Sequence, residues 1–279
     1  MSQRIGFVDF NLENFHADVY LKLLRGELAT RGFDVVGATA LEEEPSRVWA
    51  EKNDVPYYDN IAALDAQVDF YAVLAPSNPE THEELCRRVF PCAKPTYVDK
   101  TFAPDLATAE RIFALADEYG VAMQSSSALR YTNVQRHLAE QENSSPLHMV
   151  TWGGGSSFAE YAIHPLELAI SCMGADVERL ARRSHGDYSQ LLLDFSGGRT
   201  AVVNIYTNTS TPFAAALTTA QGSEYLAVDS SAIFRDTAAA MLDLFASGQT
   251  SIDRRETLAI RRILDAAETT ATLAEFVEL

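Results

Sequence analysis

The chain has 279 residues, 47% hydrophobic and 22% charged, enough for two ordinary domains with substantial cores. Its 39 acids against 22 bases give a formal charge of −17, and such a surface repels nucleic acid and anionic membranes, so neither is expected as a partner. No apolar run approaches the roughly 20 residues that a bilayer span needs, and the N-terminus lacks a basic, apolar leader. Cys86, Cys92 and Cys172 form no C-x-x-C pair, so neither a disulfide framework nor a metal site is expected, and a cytoplasmic location fits best.

Residues 4–16, RIGFVDFNLENFH, are an apolar run, a turn and a helix start. The helix runs to Arg31 with Leu21, Leu24 and Leu28 on one face, and Gly32 ends it. Strands follow at 33–41 (FDVVGATAL), 69–76 (DFYAVLAP), 95–100 (PTYVDK) and 121–127 (VAMQSSS), with helices at 46–53, 80–90 and 105–120 between them. This alternation predicts a parallel sheet with right-handed crossovers. Near Arg130 the rhythm changes to longer strands joined by Gly-containing turns: LHMVTWGGG, DYSQLLLDFSGG, RTAVVNIYTN and AAALTTAQGSEYLAV. Two helices close the chain, at 234–248 and 254–276. The expected fold is α/β, with a parallel-sheet domain over 1–128 and an α+β domain with an open, largely antiparallel sheet over 129–279.

Ligands of open parallel sheets collect at the carboxyl ends of the strands. Asp9–Asn14, Thr39–Glu44, Ala75–His82 and Asp99–Lys100 fall there. In a dinucleotide-binding domain the first turn carries G-x-G-x-x-G, whereas here Asp9, Asn11 and Asn14 stand in its place, with Phe10 between. Asn tolerates positive φ and keeps a tight turn, but these side chains hinder a pyrophosphate and Asp9 adds negative charge beside it. In APSNPETHEEL (75–85) the helix start suits an anion or polar ligand, or is a capped turn with Thr81 as cap and Glu84 completing a capping box. Lys100, in VDKTF, is either a solvated group or a donor and acid–base group at the strand end.

GGGSSFAEYAIHPLELAISCMG (153–174) reads as a helix with Pro165 as its first residue, Ile163, Leu166, Ile170 and Met173 giving the apolar face. His164 lies at the mouth of that helix and Glu160 sits four residues earlier. A carboxylate near an imidazole raises its basicity and fixes its tautomer, as a general base requires; the alternative is a capping histidine with an exposed glutamate.

The order of elements and four segments resemble the glucose–fructose oxidoreductase/inositol dehydrogenase (Gfo/Idh/MocA) family. DFYAVLAPSNPETHEEL is similar to its strand–Pro–Asn–His–helix segment, and TYVDKTFAPDLATAERIFALADEYGV to the segment with its Glu-Lys-Pro motif. EYAIHPLELAISCMG resembles its Asp-x-x-x-His helix start, and the stretch from MLDLFASG to the C-terminus its two closing helices and last strand. The resemblance implies a Rossmann-type domain binding NAD or NADP, a substrate domain, and a reaction at a secondary alcohol of a sugar, polyol or related small molecule. It also implies a homodimer or homotetramer. Lys100 and His164 match the catalytic pair, Glu160 the acid before the histidine, and Asp99 the Glu before the lysine. Ala75, Pro76, Ser77, Asn78 and His82 match the cofactor-side loop.

The departures are the missing glycines, Asp99-Lys100-Thr101 for Glu-Lys-Pro, and Glu160 for Asp. Asp9, Phe10, Asn11, Asn14 and Thr39 would line the cofactor, the acid for the adenosine ribose is either absent at Ala40 or supplied by Glu42, and Arg47 would favour a 2′-phosphate, leaving NAD and NADP both open. Arg130, Tyr131, Tyr161 and Glu167 are candidate substrate contacts. In the mechanism implied, the substrate hydroxyl sits between His164 as base and Lys100 as donor. The rival readings are a redox-silent relative that binds a ligand or regulates, and a non-redox lyase or isomerase on the same scaffold.

Overall fold

The computed structural model describes residues 3–141 and 145–279. Two compact units divide the chain: Met1–Ser126 with Phe234–Asp253, and Ser127–Ile233 with Arg254–Leu279. In the first, β1 (Gln3–Asp9), β2 (Phe33–Ala40), β3 (Phe70–Val73), β4 (Thr96–Asp99) and β5 (Met123–Ser126) form a parallel sheet in the order β2-β1-β3-β4-β5. Helices α1 (Phe15–Arg25), α2 (Glu43–Lys52), α3 (Ile61–Asp65), α4 (His82–Val89) and α5 (Leu106–Tyr119) make the crossovers. From Ile5 to Asp9, β1 is buried at every position, as a strand covered on both faces must be. Asp105 caps α5, accepting from Thr108 N at 2.7 Å, and Gly120 closes it at φ +67°, a left-handed turn in which glycine has no Cβ to clash.

In the second unit, β6 (His148–Gly155), β7 (Val177–His185), β8 (Tyr188–Phe195), β9 (Arg199–Thr207), β10 (Ala214–Thr219), β11 (Gly222–Ala227) and β12 (Val277–Glu278) form one sheet, ordered β11-β10-β6-β9-β8-β7-β12. The β6–β9 pair is parallel and the other pairs are antiparallel. Its helices are α6 (Asn133–Glu140), α7 (Phe158–Tyr161), α8 (Ile163–Met173), α10 (Arg254–Ala267) and α11 (Ala271–Ala274), with α9 (Ile233–Ser247) preceding α10 in the chain. Ile163, Leu166, Ile170 and Met173 of α8 are buried, as are Met149, Val203 and Leu191 on the facing strands. The other sheet face carries Trp152, Val202, Leu192 and Tyr206, all half-buried, with exposed Tyr188 and Tyr225.

Nearly all of α9 belongs to the first unit, although its sequence position placed it in 129–279. Ala238, Met241, Leu242 and Phe245 pack into the core with Ile5, Phe7 and Phe33, and Phe245 stacks on Phe70 at 4.9 Å and 14°. Helical spacing marks an apolar stripe but does not say which sheet it meets. The helix expected over 254–276 is α10 and α11 separated by Glu268, Thr269 and Thr270, and α3 and α6 are additions to the expected elements. No helix among the described residues is long and apolar enough to cross a membrane.

Candidate nucleotide and catalytic sites

The turn after β1 is closed by its own side chains. The Asp9 carboxylate is buried: Oδ1 accepts from Asn11 N at 3.2 Å and Ala75 N at 3.0 Å, and Oδ2 accepts from Asn14 Nδ2 at 3.0 Å. Asn14 caps α1, its Oδ1 accepting from His16 N at 2.9 Å and Ala17 N at 3.0 Å. Leu12 N donates to Ser46 Oγ at 3.1 Å and Glu13 N to Asn11 Oδ1 at 2.9 Å. Glu42, expected at an adenosine ribose, accepts instead from Asn11 Nδ2 at 2.9 Å, and its amide donates to Phe10 O at 2.8 Å. With no opposite charge among its partners, burial pushes Asp9 up to about 7 against the pull of those hydrogen bonds.

Beside the turn, at the carboxyl ends of β1 and β2, is a cavity of about 690 Å³. Val8, Thr39 and Ala40 form its strand-end wall, and Glu43, Asp59 and Glu84 bring acids to it together with Arg88. Arg88 pairs with Glu84 at 2.5 Å, and Arg47 is held by Asp59 and, at 3.4 Å, by Glu43. Arg47, expected to favour a 2′-phosphate, and Arg88 thus both carry acid partners. Glu43 falls within the strand-end stretch Thr39–Glu44 without having been singled out, and Asp59 was missed from sequence.

At the end of β4, Lys100 Nζ donates to Pro76 O at 3.0 Å and Lys100 N to Asp99 Oδ1 at 2.8 Å; the Lys100–Thr101 peptide bond is cis. Asp99 also pairs with Nδ1 of His16, a residue that sequence reasoning passed over. Burial alone would raise the Asp99 carboxyl, but the charge and hydrogen bond of His16, then Lys100, hold it below the usual range. Ser77 is exposed, and Asn78 donates to Glu80 Oε1 at 3.1 Å. Thr81 makes no side-chain cap to α4; its hydroxyl donates to Asn78 O at 2.8 Å, so the expected capping box is absent there.

His82 is fully buried, Nδ1 lying 3.0 Å from Phe102 O and Nε2 2.7 Å from Leu74 O. It clamps the ends of β3 and β4 and has no nitrogen left for a cofactor. His82→Phe takes the imidazole donor away from these carbonyls and is expected to lower stability by roughly 2 kcal/mol, read from urea unfolding.

In the second unit, His164 lies in the first turn of α8 with Nδ1 2.7 Å from Ser127 Oγ, between the rings of Tyr161 (5.6 Å) and Phe213 (6.0 Å). The close approach of Tyr161 requires Gly155, where a Cβ would lie 2.1 Å from the ring. Glu160, expected to orient His164, is exposed and accepts from Ser156 Oγ at 2.9 Å; the hydroxyl at Nδ1 is that of Ser127. Arg130 and Glu167, read as substrate contacts, instead form a buried ion pair at 2.5 Å, with Glu256 on Arg130 Nη1 at 2.6 Å. Tyr131 ends the short helical turn Ala128–Arg130, its amide donating to Ala128 O at 3.1 Å. No group of three or more His, Cys, Asp or Glu suited to a metal ion occurs among the described residues.

Residues 10–127 match the profile of the Gfo/Idh/MocA oxidoreductase family, NAD-binding Rossmann fold. They are a domain of that family. No protein of curated function matches the chain. Solved structures of similar fold include GenD2 from gentamicin A biosynthesis in complex with NAD (15% identity, TM-score 0.82, 100% of this chain and 97% of that chain). An oxidoreductase from Agrobacterium radiobacter in complex with NAD+, L-tartaric acid and magnesium matches at 16% identity and TM-score 0.79, over 100% and 98%. The myo-inositol 2-dehydrogenase from Lactobacillus plantarum matches at 13% and 0.80, over all of both chains. At these identities the likeness is one of fold.

The Gfo/Idh/MocA domain here fits NAD unevenly. The 690 Å³ cavity gives an adenosine room at the strand ends, with Thr39 and acids available to its hydroxyls. The family's pyrophosphate turn, by contrast, has its amides committed to Asp9, Asn11, Asn14 and Ser46.

Proposed function

We propose that the protein is an NAD-dependent oxidoreductase interconverting a secondary alcohol and its ketone on a sugar, polyol or related small molecule. The supporting observation is the setting of His164: its Nδ1 hydrogen-bonds to Ser127, a residue whose Oγ also accepts from Leu129 N at 3.2 Å. In this reading Nδ1–H is the donor to Ser127 Oγ, so that Nε2 is the nitrogen that acts as the base. Lys100, at the end of β4, is the second member of the pair, and the Pro76 carbonyl anchors its Nζ.

Bound NAD would supply the hydride acceptor. His164 Nε2 takes the hydroxyl proton, Lys100 Nζ donates to the developing alkoxide, and Ser127 keeps the imidazole oriented. Thr39, Glu43 and Asp59 would hold the adenosine. The cavity acids favour ribose hydroxyls over a 2′-phosphate, which would face Glu43, Asp59 and Glu84. Calorimetric titration is expected to show saturable NADH binding and NADPH binding at least about tenfold weaker, about 1.4 kcal/mol. In this reading a second copy covers the open face of the second unit's sheet, giving a homodimer or homotetramer.

The closed turn favours one rival, a redox-silent relative. Failure of both nucleotides to bind at millimolar concentration, to the native chain and to the Asp9 variants below, would establish that rival.

A further inference from the structure

We propose that the Asp9 carboxylate is a latch on the pyrophosphate turn, holding it closed on its own side chains and thereby setting the affinity for the dinucleotide. The inference rests on the NAD-dependent reading and names what limits that site in this chain. In the family's turn, glycine lets the pyrophosphate reach backbone amides at the start of a helix. Here Asp9 accepts the amides of Asn11 and Ala75 and fixes Asn14 through its Nδ2. Asn14, so fixed, covers the amides of His16 and Ala17 with its Oδ1. An incoming pyrophosphate must displace Asn14 and accept a carboxylate behind it, so the latch acts by occupation and by charge.

The substitution Asp9→Asn releases the latch while keeping the strand link. The oxygen of the introduced amide can still accept from Asn11 N and Ala75 N, which preserves the tie from β1 to β3. Its NH2 group would meet Asn14 Nδ2, donor against donor, so Asn14 loses its anchor while the charge is removed. Protonation of Asp9 removes the same charge. Ionisable groups on the neighbouring elements include Glu13 on the turn, His16 on α1 with its partner Asp99 at the end of β4, Glu42, Glu43 and Glu44 at the start of α2, and Lys100, which reaches Pro76 O beside Ala75. The hydrogen-bond partners of Asp9 are instead Asn11, Asn14, Ala75 and the Phe10 amide. The folded carboxyl sits at about 7, raised from 3.8 by burial. Below that value the latch is neutral, and above it the latch is charged.

The test is calorimetric titration of NADH into the full chain, native, Asp9→Asn and Asp9→Gly, at pH 6 and pH 8, with thermal unfolding as the check on folding. At pH 8 both variants are expected to bind at least about tenfold tighter than the native chain. Native affinity should rise from pH 8 to pH 6, while the Asp9→Asn affinity stays flat. Stability supplies a second reading: a raised folded value means that stability is fully present below pH about 4 and declines as pH rises through about 7, and Asp9→Asn abolishes that decline. Equal NADH affinity for native and variants at both pH values overturns the latch and leaves the redox reading standing. Loss of affinity in folded variants also overturns it. No NADH binding to any of the three overturns the latch together with the redox reading. If neither variant folds, the native pH dependence decides: a flat profile overturns the proposal.

Discussion

Arg130→Met is expected to destabilise the second unit by about 3–5 kcal/mol, the cost of leaving a buried carboxylate uncompensated. Arg130 and Glu167 expose only 11% and 4% of their side chains, and Glu256, the third member, exposes 20%. Burial already pushes Glu167 above its usual 4.5, and Arg130 is the group that holds it back. Because that folded value is raised, the contribution of Glu167 to stability is present at acid pH and is lost as pH rises through the folded value. Without Arg130 the folded value climbs further, so the variant should be least destabilised near pH 5 and most at pH 8. Urea unfolding at the two values checks this. Adding Glu167→Gln should recover part of the loss, because the amide carries no charge to bury; equal unfolding midpoints for native and Arg130→Met at pH 8 would contradict the ion cluster.

The second large effect concerns turnover. His164→Ala is expected to lower kcat by at least about 10², the lower end of what a positioned general base contributes. NADH affinity should hold, because the substitution lies on the second unit and the cavity lies on the first. Ser127→Ala should give a smaller loss, since Nε2 remains while its orientation is relaxed. The measurement is NADH formation on a panel of sugars and polyols, with NADH affinity measured alongside; full turnover in His164→Ala removes that residue from the mechanism.

Both units of the fold were legible because their signals are local. Buried apolar runs alternating with amphipathic helices can build only a covered parallel sheet, and long alternating strands with Gly turns an open one. The pairing of α9 with the first unit was not legible, because its apolar stripe suits either sheet. Within the candidate site, Asp9 and the two asparagines are recognisable as an altered phosphate turn, yet the hydrogen bonds that close it depend on Ala75 and Ser46, distant in sequence. The same holds for Arg130, Glu167 and His82. A polar side chain near a strand end or helix mouth reads as a ligand contact until its buried partner is known, and for these residues the partners are Glu256, Arg130 and two carbonyls. Ser127 displaced Glu160 at His164 Nδ1 for a related reason: a four-residue spacing predicts proximity on a helix, but α7 and α8 are separate helices meeting at Ala162.

Turnover of a folded Lys100→Met variant is the most direct test of the central claim, that a lysine and an imidazole serve one reaction. Its kcat for NADH formation is expected to fall at least about 10²-fold, as for His164→Ala. Full turnover in that variant would contradict the claim.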